Sequence, residues 1–228
     1  MTDRKAFFDV VRHRVFGGNI NQSQVDGINT ILDAWGAAGT FDPRFIAYAL
    51  ATAYWETDKT MKPVSEIGHG HGHSYSAPAG PWGQSYYGRG YVQLTWFANY
   101  DKAGRKLQAL GVLTANENLA EHPDLALRPD VAAPIMVHGM LEGWFTGRRL
   151  GDFFHGAITD WTNARTIING HDHAAEIAHY ALGFYEGLLA QSYVDVKPMT
   201  PAAATEGLVF TPGENSQSPG IAPAFKTP

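Results

Sequence analysis

The sequence contains no cysteine, which excludes disulfide bonds, thiolate metal sites and cysteine nucleophiles. It also lacks any dense run of lysine or arginine, and its formal net charge is −5. Charge therefore gives no reason to expect binding to nucleic acid or to an anionic membrane. No stretch approaches the roughly 20 consecutive apolar residues of a membrane-spanning helix, so we expect no membrane span.

A secretory signal is also missing from the start, "MTDRKAFFDVVRHRVF", which has scattered charges and no continuous apolar core. We therefore expect synthesis in the cytoplasm, and access to any substrate outside the cell only through release or delivery by other proteins. What the sequence does have is apolar material, since 44% of its 228 residues are hydrophobic and 12% are aromatic. That is enough for one buried core, and we expect a monomer.

Apolar residues recur at helical intervals over most of the chain. This pattern predicts helices over 4–15, 22–35, 43–56, 97–110, from 128 onward, and over 148–155, 160–168 and 173–190. Glycine, proline, serine and histidine are dense from 63 to 92, which predicts a long irregular loop with at most a short β-hairpin. The segment 193–228 is rich in proline, alanine, threonine and serine and predicts a C-terminal tail. The sequence therefore predicts a mainly α fold, with one domain over residues 1–192.

Two glutamates ten residues apart are candidates for acid–base chemistry. Glu56 ends the helix predicted over 43–56 and falls within about 20° of Phe45 on a helical wheel, inside the apolar sector, with Tyr48 on the other side. Partial loss of hydration there favours the protonated form that a general acid needs. Glu66 lies in the polar loop. Cleavage of a glycosidic bond commonly uses one carboxyl group to protonate the leaving oxygen and another to activate water. The alternative is that both are ordinary solvated charges.

Three histidines alternate with glycine in "HGHGH". An extended backbone would put His69, His71 and His73 on one side, so a zinc site is an alternative reading. The sequence indicates no fourth ligand for a zinc ion, and the intervening glycines leave the backbone of this segment flexible. We therefore predict no metal and no cofactor, and expect a polar loop at the rim of a cleft.

The stretch "YYGRGYVQLTWFANY", residues 86–100, interleaves neutral hydrogen-bonding side chains with aromatic ones. Its Gly-Arg-Gly turn lets the backbone approach a ligand closely. Gln93, Thr95 and Asn99 alternate with Leu94, Trp96 and Tyr100. This arrangement suits sugar recognition, and it also suits a half-buried strand and turn.

The same stretch resembles the signature "YYGRGPIQLT" of family 19 glycoside hydrolases, a group of chitinases and phage endolysins with a lysozyme-like fold. Tyr-Val stands here in place of Pro-Ile. "AYWET" resembles the family's helix end that bears the general acid, "HPDLALRPDVAAPIMVHGMLEGWF" resembles its "NPDL" segment, and "RTIING" resembles its "IING". The resemblance implies a bilobed helical domain that hydrolyses its substrate with inversion and without a metal.

Roles for individual residues follow from the resemblance. Glu56 corresponds to the general acid, Glu66 to the general base, and Thr95 to the hydroxyl residue that helps to hold the attacking water. The candidates for substrate binding are Gln93, Asn99 and Asn169, with Tyr87 and Arg89 at the turn beside them and Trp96 from the same stretch. Many family members carry an arginine in a charge network with the catalytic pair, on the helix that corresponds to 173–190. That helix has no lysine or arginine here.

Two substrates fit this resemblance. The first is peptidoglycan, cut between its aminosugars by an endolysin or lysozyme-type enzyme that acts on the cell wall or periplasm. The second is chitin. The lack of a signal peptide, of cysteine and of a recognisable chitin-binding module favours peptidoglycan. A third hypothesis is a sugar-binding or virion protein with a decayed active site.

Overall fold

The computed structural model describes residues 4–195. This part of the chain contains six α-helices: α1 (Lys5–Arg14), α2 (Gln22–Ala38), α3 (Pro43–Glu56), α4 (Phe97–Ala109), α5 (Pro129–Glu142) and α6 (Ala174–Asp195). The prediction of a mainly α fold is confirmed. The predicted tail covers 193–228. Residues 193–195 belong to α6, and residues 196–228 lie outside the described residues.

Helix α3 is the central helix of the domain. It begins where the sequence predicts, because the Asp42 side chain accepts a 2.9 Å hydrogen bond from the Arg44 backbone N–H and Pro43 occupies the first turn. Every residue from Ile46 to Tyr54 is buried. The one-sided apolar sector was therefore the wrong description, since Tyr48, expected on the outer side, is fully buried. Neighbouring elements cover α3 all round, with α6 against one side.

Helices α1 and α6 pack with their backbones close together. Gly183 and Gly187 lie one turn apart on α6, facing α1. A Cβ atom added at Gly187 would come within 2.7 Å of Val11, and one added at Gly183 would come within 2.8 Å of Val15. The two glycines therefore allow the α1 side chains to pack directly on the α6 backbone. Helices α2 and α5 pack against each other in the same domain.

The long loop after α3 is closed at its two ends by a short antiparallel sheet. Strand β1 (Val64–Ser65) pairs with β2 (Arg89–Gly90), and the Glu66 backbone N–H continues the pairing with a 2.8 Å hydrogen bond to the Gly88 carbonyl. This closure brings Glu66 next to the Gly-Arg-Gly turn. Within the loop lie two 3₁₀ helices, Ile67–Gly70 and Ser74–Ser76.

The prediction of a helix over 148–155 is wrong for the second half of that range. A 3₁₀ helix over Leu150–Asp152 is followed by a hairpin of β3 (Phe154–His155) and β4 (Ile158–Thr159). Gly156 opens the two-residue turn with φ of 51°, a left-handed conformation that suits a tight hairpin and ends a helix. None of the described helices has both the length and the hydrophobicity needed to cross a bilayer.

Candidate active site

Glu56, the last residue of α3, is paired with a buried arginine. The Arg165 Nη1 atom donates a 2.5 Å hydrogen bond to Glu56 Oε1, and the two side chains are only 4% and 14% exposed. Arg165 also donates from Nε to the Asp172 backbone carbonyl at 3.2 Å. Its Nη2 atom lies 3.8 Å from the Asp172 carboxylate, which is largely exposed. The guanidinium is thus fixed from two sides, and it orients Glu56.

Arg165 is not among the site residues predicted from the sequence. The resemblance implies a basic residue on the helix that corresponds to α6, where no lysine or arginine occurs among Ala174–Asp195. The structure supplies one instead from the 3₁₀ helix Asn163–Ile167 just before α6. A signal was present in the sequence, since Arg165 is the only lysine or arginine between Arg149 and Lys197. It also lies within the "RTIING" block.

Glu66 is held at both carboxylate oxygens. The Tyr75 hydroxyl donates a 2.7 Å hydrogen bond to Oε1, and the Gly88 backbone N–H donates a 2.9 Å hydrogen bond to Oε2. Burial, reinforced by the hydrogen bond to the carboxylate, raises the pKa of Tyr75 to about 12. The phenol therefore remains protonated and a donor at neutral pH. The two donors, one on each oxygen, fix the orientation of this carboxylate.

The two glutamates line one cleft. Its volume is about 400 Å³, and its lining includes Glu56, Glu66, Tyr75, Gly88, Gln93, Thr95, Trp96 and Asn169. A neighbouring hollow of about 210 Å³ shares Gln93, Thr95, Trp96 and Asn169 with it and adds Asn99 and Phe145. Seven of the nine predicted site residues are thus brought to one elongated depression.

The wall formed by residues 93–96 has a strained backbone. Gln93 has φ of 51° and Trp96 has φ of 70°, conformations that side chains larger than glycine rarely adopt. The Gln93 amide donates to the Val64 and Gly90 carbonyls at 3.2 and 3.3 Å, which ties this wall to the β1–β2 sheet. Trp96 remains 49% exposed, although large aromatic side chains are usually more buried. The backbone thus holds an indole ring at the mouth of the cleft.

Tyr87 and Arg89 lie elsewhere. They line a separate hollow, and Arg89 is only 3% exposed. Its guanidinium lies 3.6 Å from the centre of the Tyr87 ring and donates to Asp124 at 2.8 Å and to the Tyr100 hydroxyl at 3.1 Å. These contacts hold the turn that presents the Gly88 N–H to the cleft. The structure therefore places both residues behind the turn, away from the surface that Glu56 and Glu66 share.

The histidine segment is folded against tyrosines. His69 stacks on Tyr87 with ring centres 4.6 Å apart, and His73 stacks on Tyr75 at 5.0 Å. Over residues 4–195, no group of three or more His, Asp or Glu side chains is arranged to hold a metal ion. The structure therefore offers the zinc alternative no assembled ligand set.

No protein-family model matches the sequence, and no curated protein matches it either. Among solved structures, chitinase C from Streptomyces griseus matches 84% of this chain and 76% of its own, with 24% identity and a TM-score of 0.50. A family 19, class IV chitinase from Zea mays matches 85% of this chain and 94% of its own, with 22% identity and a TM-score of 0.49. The chain has the lysozyme-like fold of family 19 glycoside hydrolases, as the resemblance in sequence predicts.

Proposed function

We propose that the protein is an inverting glycoside hydrolase that cleaves β-1,4 bonds between N-acetylated aminosugars. The observation that carries the proposal is that Glu56 and Glu66 line the same cleft of about 400 Å³, each held by donors from other elements. Most glycoside hydrolases use two carboxyl groups that flank the glycosidic bond in one groove. The likeness in fold to a solved chitinase supports the same reaction class.

In this mechanism Glu56 gives its proton to the glycosidic oxygen while the bond from that oxygen to C1 breaks. Glu66 takes a proton from a water molecule whose oxygen bonds to C1 from the opposite face. The leaving sugar keeps the proton from Glu56, and C1 keeps the hydroxyl group with inverted configuration. Both glutamates then recover their starting forms by proton exchange with solvent. Neither step requires a metal ion.

Arg165 assists proton transfer from Glu56 through its contact with one oxygen of that carboxyl group. Since Arg165 occupies Glu56 Oε1, we assign Oε2 as the oxygen that carries the proton. Once the proton has left, a full carboxylate charge faces a guanidinium that is only 4% exposed. A guanidinium attracts a carboxylate far more strongly than a neutral carboxyl group, and burial strengthens that attraction. Arg165 therefore stabilises the charge that develops during proton transfer.

The remaining wall suits the sugar and the water. Thr95 lines both parts of the depression beside Glu66, so its hydroxyl group is the candidate for a second contact to the attacking water. The amide side chains of Gln93, Asn99 and Asn169 lie along the same wall and match the hydrogen-bonding needs of N-acetyl and hydroxyl groups. Trp96 offers an exposed ring face of the kind on which sugars stack.

The test uses the charge-neutral variants Glu56→Gln and Glu66→Gln, whose amide oxygens still accept hydrogen bonds. We expect each to reduce kcat by at least about 100-fold. The thermal unfolding midpoint should change little in Glu66→Gln and should fall in Glu56→Gln, because the shielded Arg165 guanidinium then lacks a charged partner. Glu121→Gln is the matched control, since Glu121 lines the separate hollow, and it should leave kcat unchanged. Hydrolysis of β-linked oligomers followed by proton NMR should show the α-anomer first. Full activity in Glu56→Gln, or the β-anomer first, would overturn the assignment.

Two polysaccharides are candidates for the substrate, and both contain β-1,4-linked N-acetylglucosamine. Peptidoglycan is the prediction from the sequence, with action on the cell wall after release or delivery by other proteins. The fold shared with a solved chitinase favours chitin. Release of reducing ends from purified peptidoglycan and from chitin oligomers, measured side by side, distinguishes them. If wild-type protein binds these sugars but cleaves neither, a non-catalytic sugar-binding protein becomes the better description.

A further inference from the structure

The hydroxyl group of Tyr75 and the histidine segment before it point to a role that the two-carboxylate mechanism leaves open. We propose that Tyr75 is a positioning residue for Glu66, and that residues 69–74, "HGHGHS", hold the Tyr75 ring in place. We call these residues the histidine loop. The proposal rests on the proposed function, because it assigns Glu66 a task that needs a fixed orientation.

The carboxylate of Glu66 is fixed by two donors. The Gly88 N–H holds Oε2 of Glu66, and the Tyr75 hydroxyl holds Oε1. With the Gly88 contact alone, the carboxylate would be free to turn about its last bond. The second donor removes that freedom, so that the remaining lone pairs point in fixed directions. A general base must meet the proton of the attacking water in one geometry, and small errors of placement reduce the rate strongly.

The ring of Tyr75 is held in place by two neighbouring rings. His73 stacks on it with an interplanar angle of 5°, and Trp96 meets it edge-on with ring centres 5.7 Å apart. The backbone is fixed as well, since the Tyr86 N–H donates to the Tyr75 carbonyl at 3.1 Å. The ring is thus supported on a face and at an edge. Only its hydroxyl group extends to Glu66.

The alternation of histidine and glycine in this segment matches its contacts with the two tyrosines. A Cβ atom at Gly70 would lie 2.6 Å from Cε2 of Tyr75 and 3.1 Å from Cβ of Tyr87, so this position requires glycine. His69 and His73, on either side of it, stack on these same two tyrosines. His71 is exposed and has no aromatic contact among residues 4–195. His73 therefore supports the Tyr75 ring directly, and His69 packs on the neighbouring Tyr87 ring.

The main test is Tyr75→Phe, which keeps the ring and its stacking and removes only the hydroxyl group. We expect kcat to fall about 10-fold to 100-fold, the effect of losing one hydrogen bond to a charged group, while KM changes by less than about twofold. The thermal unfolding midpoint should stay within about 2 °C of the wild type. A raised KM with unchanged kcat would mean that Tyr75 binds sugar, and would overturn the proposal.

A matched pair of glycine variants tests the histidine loop. Gly70 and Gly72 both have positive φ, 70° and 87°, so alanine strains the backbone at either position. Only the Cβ atom at Gly70 would meet Tyr75; at Gly72 nothing lies within 4 Å. Gly70→Ala should therefore lower kcat by at least about 10-fold and Gly72→Ala by less than about threefold. Equal losses in both variants would contradict a specific support for Tyr75.

A spectroscopic measurement separates this inference from the proposed function. In protein labelled with ¹³C at tyrosine Cζ, the Tyr75 resonance is identified by its loss in Tyr75→Phe, and its titration midpoint should lie near 12. Glu66→Gln removes the charge that opposes ionisation, so the midpoint should fall. An unmoved midpoint overturns the contact. If Glu66→Gln moves the midpoint but wild-type protein cleaves no sugar, the contact is supported and the glycosidase proposal alone has failed.

Discussion

Arg165 and Glu56 lie 109 residues apart in the sequence, and Nη1 of the arginine donates a 2.5 Å hydrogen bond to Oε1 of the glutamate. One residue ends the central helix α3, and the other lies in the 3₁₀ helix Asn163–Ile167. Both side chains are shielded from water, so neither can be altered without leaving the other incompletely compensated. The stability of the domain and the chemistry of the cleft therefore depend on the same pair.

The first prediction concerns Arg165→Met. It should lower kcat by about 100-fold to 1,000-fold, because the charge that develops on Glu56 loses its stabilising donor. It should also lower the free energy of unfolding by about 3 kcal/mol, because removing one partner leaves a shielded charge without compensation. Steady-state kinetics and urea unfolding measure the two effects. Arg165→Lys should restore most of the stability and little of the rate, since an ammonium group lacks the planar fork.

The control for Arg165 is Asp172→Asn. The Asp172 carboxylate lies 3.8 Å from Nη2, but the side chain is 58% exposed, and its backbone carbonyl makes the closer contact. An exposed ion pair of this kind contributes about 0 to 1 kcal/mol. Asp172→Asn should therefore leave kcat within about twofold of the wild type. A loss as large as that of Arg165→Met would show that the charge network, and not the Glu56 contact, is what matters.

The features that the sequence predicts correctly are those set by local signals. The Asp42-Pro43 start and the apolar content of 43–56 set the bounds of α3, and with them the position of Glu56 at a helix end. The signature stretch likewise indicated the wall that carries Thr95 and Trp96. These features depend on neighbouring residues in the chain, which periodicity and capping rules describe well.

What the sequence did not indicate depends on contacts between distant segments. Arg165 is not among the predicted site residues because its partner Glu56 lies on another element, 109 residues away in the sequence, and no local pattern reports such a contact. The Tyr75–Glu66 contact arises only once β1 and β2 close the long loop, whose glycines carry no periodic signal. The helical wheel misplaced Tyr48 because a helix covered on all sides has no outer face.

The second prediction uses the strained backbone of Trp96. Trp96→Gly and Trp96→Ala both remove the exposed indole ring and the apolar area that it would bury against a sugar, so both should raise KM for sugar oligomers about 10-fold or more. Only glycine adopts φ of 70° without strain. Trp96→Gly should therefore be more stable than Trp96→Ala by about 1 kcal/mol, after strain relief is offset by the entropy of glycine.

Urea unfolding of the two Trp96 variants measures this difference, and isothermal titration with a chitin oligomer on the Glu56→Gln background measures binding. Equal stability would mean that the segment relaxes when the ring is absent. Unchanged affinity in both variants would remove Trp96 from the set of sugar-binding residues.

The third prediction compares two helical glycines. Gly187→Ala should lower the free energy of unfolding by about 1–3 kcal/mol, because the new methyl group would lie 2.7 Å from Val11 and 3.0 Å from Phe7. Gly36→Ala in α2 has nothing within 4 Å and an ordinary φ, so it should raise stability by about 0.5–1 kcal/mol. Thermal and urea unfolding give both values. Destabilisation by both variants would argue against close packing of α1 on α6 as the cause.

The last prediction concerns two tyrosines that are both fully buried. The Tyr48 hydroxyl has no hydrogen-bond partner among the described residues, whereas the Tyr100 hydroxyl donates to the Tyr87 carbonyl at 2.9 Å and accepts from Arg89 at 3.1 Å. Burial raises the pKa of both phenols, so neither ionises near neutral pH. Phenylalanine at either position removes only a hydroxyl group from an enclosed site.

Tyr48→Phe should leave the free energy of unfolding unchanged or raise it by about 1 kcal/mol, because it removes a polar group that was desolvated without compensation. Tyr100→Phe should lower it by about 2 kcal/mol, because it leaves the Arg89 N–H with one acceptor fewer. Since Tyr48 lies on α3, two turns before Glu56, kcat should be measured on both variants. An equal loss of stability in the two would mean that a buried water molecule satisfies Tyr48, and any loss of rate in Tyr48→Phe would place that water in the network behind the Glu56–Arg165 pair.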